Sequence, residues 1–102
     1  MMNTQLTVII PVFNEINSIE QLLIKVLNNK IDKQVIVVDD HSFDGTRELL
    51  INKFKNKVDK IIFHKKNLGK GAAIKSAQKY IIGKYTIIQD ADLEYDPSDY
   101  FS

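Results

Sequence analysis

Two carboxylates two residues apart, Asp90 and Asp92, close the apolar run Tyr85-Thr86-Ile87-Ile88. That run reads as a buried strand. On an extended backbone, residues i and i+2 share a face, and their Cα atoms lie roughly 6.6 Å apart at about 3.3 Å per residue. A bare pair of carboxylates is costly to desolvate, so the pair calls for a cation. Oxygen donors at a strand end suit a hard divalent ion, Mg²⁺ or Mn²⁺. Such an ion holds a diphosphate and stabilises it as a leaving group. An isolated D-x-D also has a plainer reading, in which Asp92 caps a turn and Asp90 pairs with a lysine. The apolar strand before the pair, and the carboxylates that follow the other strands, favour the metal-binding reading.

The elements that must position this pair are legible from periodicity. Leu6 to Ile10 is a β-branched run ended by Pro11 and reads as a first strand, buried on both faces. Asn17-Ser18 opens a helix, with Ser18 and Gln21 at capping-box spacing and Ile19, Leu22, Leu23, Val26 and Leu27 in one apolar stripe. Val35 to Val38 is a second strand, ending at Asp39-Asp40. Asp44-Gly45-Thr46 turns into a second helix with Leu49, Leu50 and Phe54 inward. Ile61-Ile62-Phe63 is a third strand. Asn67-Leu68-Gly69-Lys70-Gly71 is a loop that opens a third helix, with Ala73, Ile74, Ala77 and Ile81 inward. The alternation predicts one α/β domain, an open, mostly parallel sheet covered by helices on both faces. Asp96-Pro97-Ser98 reads as the start of another helix, so the end resembles an interruption and leaves the fourth strand as an open edge.

Every unusual polar cluster follows a strand: Asn14 and Glu15, Asp39 and Asp40, His64 through Gly71, and Asp90 with Asp92. Open α/β sheets bind ligands at the carboxyl ends of their strands, where the strand order reverses. A 3-2-1-4 order brings Glu15, Asp40 and Asp90 into one crevice. Each cluster taken alone keeps a structural reading. One of Asp39 and Asp40 can cap the following turn while the other meets a ribose hydroxyl or a base N–H. Phe13 is either core or flanks a base. Glu15 can merely favour a helix N-terminus. The Gly69 loop and Lys70 either bind an anion or form a flexible turn.

Bulk properties narrow the function classes. The chain has 102 residues, 44% hydrophobic and 26% charged, with a formal net charge of +1 and no cysteine. The small net charge gives no overall electrostatic case for nucleic acid, and disulfides and thiolate metal sites are excluded. No signal peptide and no run near the ~20 apolar residues of a bilayer span occur, so the expected location is cytoplasmic, or the cytoplasmic face of a membrane. The stretch after the first strand contains no glycine, which argues against a dinucleotide-binding oxidoreductase. A receiver-type phosphoryl acceptor should have its paired acids after strand one rather than strand two. His41 and His64 lack partners at metal-ligand spacing, and no nucleophile triad assembles from the sequence.

Taken together, the segments Val8-Ile9-Ile10-Pro11-Val12-Phe13-Asn14-Glu15, Val37 to Thr46, Asn67 to Ala73 and Gln89 to Pro97 resemble the N-terminal half of family 2 glycosyltransferases with the GT-A fold. The last block is most similar to the dolichyl- or polyprenyl-phosphate sugar transferase branch. The resemblance implies a Rossmann-like nucleotide-binding half, incomplete at the C-terminus. It implies transfer of a sugar from a UDP- or GDP-sugar to a lipid-phosphate or saccharide acceptor. Pro11, Phe13 and Glu15 would line the nucleoside pocket, and Val38 and Asp40 would contact base or ribose. Lys70 would lie near the nucleotide. Asp90, Ala91 and Asp92 would form the D-x-D block, with Asp90 and Asp92 on Mg²⁺ or Mn²⁺ and Glu94 near the metal. The catalytic base is expected downstream of Ser102. His41 and Phe43 depart from the family's usual small or polar turn residues. The rival reading is a non-catalytic nucleotide-binding or interaction module that keeps the half-fold.

Overall fold

A computed structural model describes residues 4–91. Its elements are β1 (Leu6–Val12), α1 (Ile19–Asn28), β2 (Lys33–Asp39), α2 (Thr46–Leu49) running into a π-helical segment (Leu50–Phe54), β3 (Lys60–Phe63), α3 (Lys70–Gln78) and β4 (Tyr85–Ile88). The four strands are parallel in the order β3-β2-β1-β4, as the crevice argument requires. The chain runs outward from β1 to β3 and then crosses back to the other side of β1. The order therefore reverses between β1 and β4, which is where an open α/β sheet binds ligands.

The reversal also places the helices. Right-handed crossovers in opposite directions put their helices on opposite faces. On one face Val8, Ile10, Val12, Val35 and Val37 pack with Ile19, Leu22, Leu23 and Val26 of α1 and with Leu50 and Phe54. On the other, Ile9, Ile36 and Val38 pack with Ala73 and Ala77 of α3. Alanine at both contact positions lets α3 lie close to the sheet. Residues of both parities along β1 and β2 are buried, which is why these strands read as unbroken apolar runs rather than alternating ones.

Three local expectations change. β1 does not stop at Pro11 but continues to Val12, with Pro11 opposite Val38. Ile9 bonds toward the β4 side, where its carbonyl accepts from Gln89 N–H at 2.9 Å, whereas the Val12 carbonyl accepts from Asp40 N–H on the β2 side, also at 2.9 Å. Pro11 shares Ile9's side but lies beyond the last β1–β4 pair, Ile9 with Ile88, so its missing N–H costs no ladder bond. The Ser18–Gln21 capping box does not form, because the Ser18 hydroxyl turns instead toward the end of β4. β4 itself is not buried: Tyr85, Thr86 and Ile88 are exposed, because among the described residues the strand pairs only with β1. No helix among the described residues is long and apolar enough to cross a membrane.

Candidate functional site

The loops at the carboxyl ends of β1 and β2 are laced together by the side chains of Ser42, Asp44 and Thr46. Three successive backbone N–H groups are satisfied this way. Asn14 N–H donates to Ser42 Oγ at 2.9 Å, Glu15 N–H to Thr46 Oγ1 at 3.1 Å, and Ile16 N–H to Asp44 Oδ2 at 3.1 Å. In return Phe43 N–H donates to Asn14 Oδ1 at 2.9 Å. Asp44 Oδ1 accepts from both the N–H and the hydroxyl of Thr46, at 3.0 and 2.6 Å. Burial pushes the Asp44 carboxyl up, but the Thr46 and Ile16 donors outweigh it and hold the group below the ordinary carboxylate range. The tight path puts Asn14, His41 and Gly45 at positive φ (52°, 69° and 105°). His41 thus sits where glycine or asparagine is most at ease, which is the physical content of its departure from the usual turn residue.

Asp39 and Asp40 divide their labour. Asp39 is fully buried; its Oδ2 accepts Ser42 N–H at 3.1 Å, and its Oδ1 has no hydrogen-bond partner among the described residues. It caps the turn. Asp40, only 5% exposed, holds the loop between β3 and α3. Leu68 N–H donates to Oδ1 and Gly69 N–H to Oδ2, each at 2.8 Å, and His64 Nδ1 meets Oδ1 at 2.8 Å. Burial raises the Asp40 pKa, but the Leu68, His64 and Gly69 donors together outweigh that and hold it below the usual carboxylate range. Gly69 can complete this cradle because its φ of 96° is open to glycine.

Between these loops lies a cleft of about 110 Å³ lined by Pro11, Val12, Phe13, Asp40, Lys70 and Ala73. At its rim Phe13 meets Phe43 edge to face, with ring centroids 5.9 Å apart, and Phe43 is 79% exposed. Lys70, in the first turn of α3, forms an ion pair with Asp90 just past β4. Glu15 approaches the same end through Ser18, whose hydroxyl donates to the Ala91 carbonyl at 2.6 Å with Glu15 Oε2 at 3.0 Å as a second acceptor. Larger hollows of about 420 and 600 Å³ flank the π-helical segment, but Asp40, Lys70 and Asp90 line neither.

Of the residues expected in the site, Pro11, Phe13, Asp40 and Lys70 line the cleft, and Asp90 joins it through Lys70. Glu15 and Ala91 stand beside it, tied by Ser18. Val38 is fully buried in the core on the α3 side. Asp92 and Glu94 lie outside the described residues. The plainer reading of Asp90, a carboxylate paired with a lysine, is present in the structure. Asp90 keeps about a third of its side chain exposed at this strand end. The described residues contain no cluster of three or more metal-ligating side chains. Ser76 was not singled out by sequence, nor were the partners of Ser18 and His64, since Ser18 reaches Ala91 73 positions away and His64 reaches Asp40 24 away.

Comparison with known proteins identifies the family and the fold. The family model described as glycosyl transferase family 2 matches residues 7–101. A dolichyl-phosphate beta-glucosyltransferase of Dictyostelium discoideum is 35% identical over 102 residues, covering 88% of this chain and 31% of that protein. S. aureus TarS 1-349 in complex with UDP superposes with a TM-score of 0.77 at 28% identity, covering 87% of this chain and 28% of that one. The mannosyltransferase PcManGT from Pyrobaculum calidifontis, in complex with GDP-Man and Mn²⁺, gives 0.78 at 26% identity, covering 90% and 28%. The chain spans between 13% and 32% of the length of the curated relatives it matches.

Proposed function

Because the chain belongs to glycosyl transferase family 2 and has the α/β GT-A fold of that family's solved structures, we propose that it forms the donor-nucleotide part of a transferase. That transferase would move a sugar from a nucleoside diphosphate sugar to an acceptor. One observation carries the reading: Pro11, Phe13, Asp40, Lys70 and Asp90 converge at the point where the strand order reverses. Complexes of the structural neighbours with UDP and with GDP-Man support a nucleoside diphosphate as the ligand class.

Phe13 presents an aromatic face for a base at the rim, and Asp40 with its bound loop forms a rigid wall below. Asp90, with Asp92 beyond the described residues, would hold Mg²⁺ or Mn²⁺ on the diphosphate. The bound ion supplies charge neutralisation to the departing nucleoside diphosphate. Lys70 is the counter-charge of Asp90, and its ammonium would add a second positive group for phosphate oxygens. The cleft is too small to enclose a nucleotide, against the roughly 300–1,000 Å³ usual for enclosed ligand sites. The described residues would therefore supply one part of the donor site. The acceptor proposed is a polyprenyl phosphate, on the strength of the dolichyl-phosphate relative.

The test is equilibrium binding of Mn²⁺ with UDP or GDP to the wild type, Asp90→Asn and Asp92→Asn. Each substitution is expected to weaken metal-dependent binding about tenfold or more. Unchanged affinity in both variants would remove the metal assignment.

A further inference from the structure

Beyond its bond to Asp40, His64 has no role above, yet it is 7% exposed and bonded at both ring nitrogens. Nδ1 lies 2.8 Å from Asp40 Oδ1, and Nε2 lies 2.8 Å from Ser76 Oγ. His64 N–H also donates to the Asp39 carbonyl at 2.9 Å, which fixes the residue at the carboxyl end of the sheet. One side chain therefore links the end of β2, the end of β3 and the middle of α3. The order Asp–His–Ser matches that of an acyl-transfer relay. Ser76, however, sits inside α3, where backbone N–H groups are spent on helix bonds, so no donor is left for an oxyanion. The connection positions groups rather than activating a nucleophile.

What it positions is the cleft wall. An ionised carboxylate only accepts hydrogen bonds, so Nδ1 must donate to Asp40. In the neutral ring Nε2 then accepts from the Ser76 hydroxyl. The same Asp40 carboxylate holds Leu68 and Gly69 N–H, and these residues lead into Lys70 at the start of α3. Without the Nδ1 donor, Asp40 could turn about its side-chain bonds. The loop that it anchors would lose its fixed partner, and Ser76 would no longer hold α3 against the same post. We propose that His64 is a positioning residue for the donor cleft: through Nδ1–H it orients Asp40, and through Asp40 it sets the Leu68–Gly69 loop that carries Lys70 to Asp90. The nucleotide arm of this proposal rests on the donor-site reading, and the loop arm stands without it.

The experiment uses the full chain and two substitutions that divide the imidazole. The amide of His64→Asn can replace Nδ1 as donor to Asp40, whereas the longer His64→Gln reaches toward Ser76 and leaves Asp40 without that donor. Native-state amide exchange at Leu68 and Gly69 is expected to quicken about tenfold or more in His64→Gln, for loss of one charge-assisted bond, and to stay near wild type in His64→Asn. Affinity for Mn²⁺ with UDP or GDP should follow the same order. Equal exchange and affinity in the two variants, moving only with global stability, would overturn the proposal. Nitrogen shifts of the wild-type ring give a reading that needs no variant: a protonated Nδ1 is expected, and a ring protonated only at Nε2 would overturn it. Intact loop protection and a protonated Nδ1 in a folded chain that binds no nucleotide would sustain the positioning role and sink the donor-site reading instead.

Discussion

Asp40 accepts from two backbone amides and one imidazole, and an amide in its place has a single acceptor oxygen. Asp40→Asn should therefore strand at least one buried donor and lower stability by about 1.5–3 kcal/mol in chemical denaturation. The same chemistry sets a pH dependence. Asp40 and Asp44 both have folded pKa values held below the ordinary carboxylate range. Their contribution is complete above about pH 4, the unfolded-chain value, and is lost as pH falls through the lower folded values. Denaturation midpoints should thus be flat from about pH 5 to 7 with respect to these groups and drop below pH 4. The drop should be smaller in Asp40→Asn and Asp44→Asn, and an unchanged acid limb in both variants would contradict the carboxylate account. At this scale the sequence revealed which residues are chemical but not what they hold. Asp39 as turn cap and Asp40 as the cleft-facing partner were two assignments left open by adjacency alone. Ser42, Asp44 and Thr46 bond to amides 28 to 31 residues away, which no local spacing encodes.

Glycines separate two kinds of constraint on the elements. A Cβ at Gly83, just before β4, would lie 2.6 Å from both the backbone nitrogen and Oγ1 of Thr7. Gly83 N–H donates to that hydroxyl at 2.9 Å, within a network in which Thr7 Oγ1 bonds Gln34 Oε1 at 2.7 Å and Ile82 N–H donates to the same Oε1 at 3.0 Å. Gly83→Ala should cost about 1–3 kcal/mol by overpacking. Gly71, in the first turn of α3, has nothing within 4 Å of an added Cβ, so Gly71→Ala should gain up to about 1 kcal/mol. Thermal melts of the pair check both signs together, and equal effects would contradict the close approach at Gly83. The order and type of the main elements were legible because both faces of β1 and β2 are covered and leave continuous apolar runs. The extension of β1 through Pro11 was not, since it depends on where the neighbouring strand stops. Nor was the exposure of β4, whose composition matches a buried strand while its neighbours do not.

Exposed Ile82, Tyr85 and Ile88 cluster at and before β4, a strand paired on one side among the described residues. An open, apolar edge recruits other edges. The chain is therefore expected to self-associate with rising concentration, and Ile88→Lys to reduce this in sedimentation velocity. A monomer at every concentration would contradict it. The strand order that exposes β4 also places the reversal point beside it, so the whole-molecule topology and the candidate site are one consequence of the same crossover. That convergence was legible from carboxylates following successive strands. The identity of base, sugar and acceptor was not, because the carboxylate and ammonium groups singled out suit any nucleoside diphosphate. The most direct test of the central claim is calorimetric titration of the folded chain with UDP and with GDP, each with and without Mn²⁺. The account predicts saturable, Mn²⁺-dependent binding of at least one nucleotide, and absence of binding by either nucleotide to folded protein would contradict it.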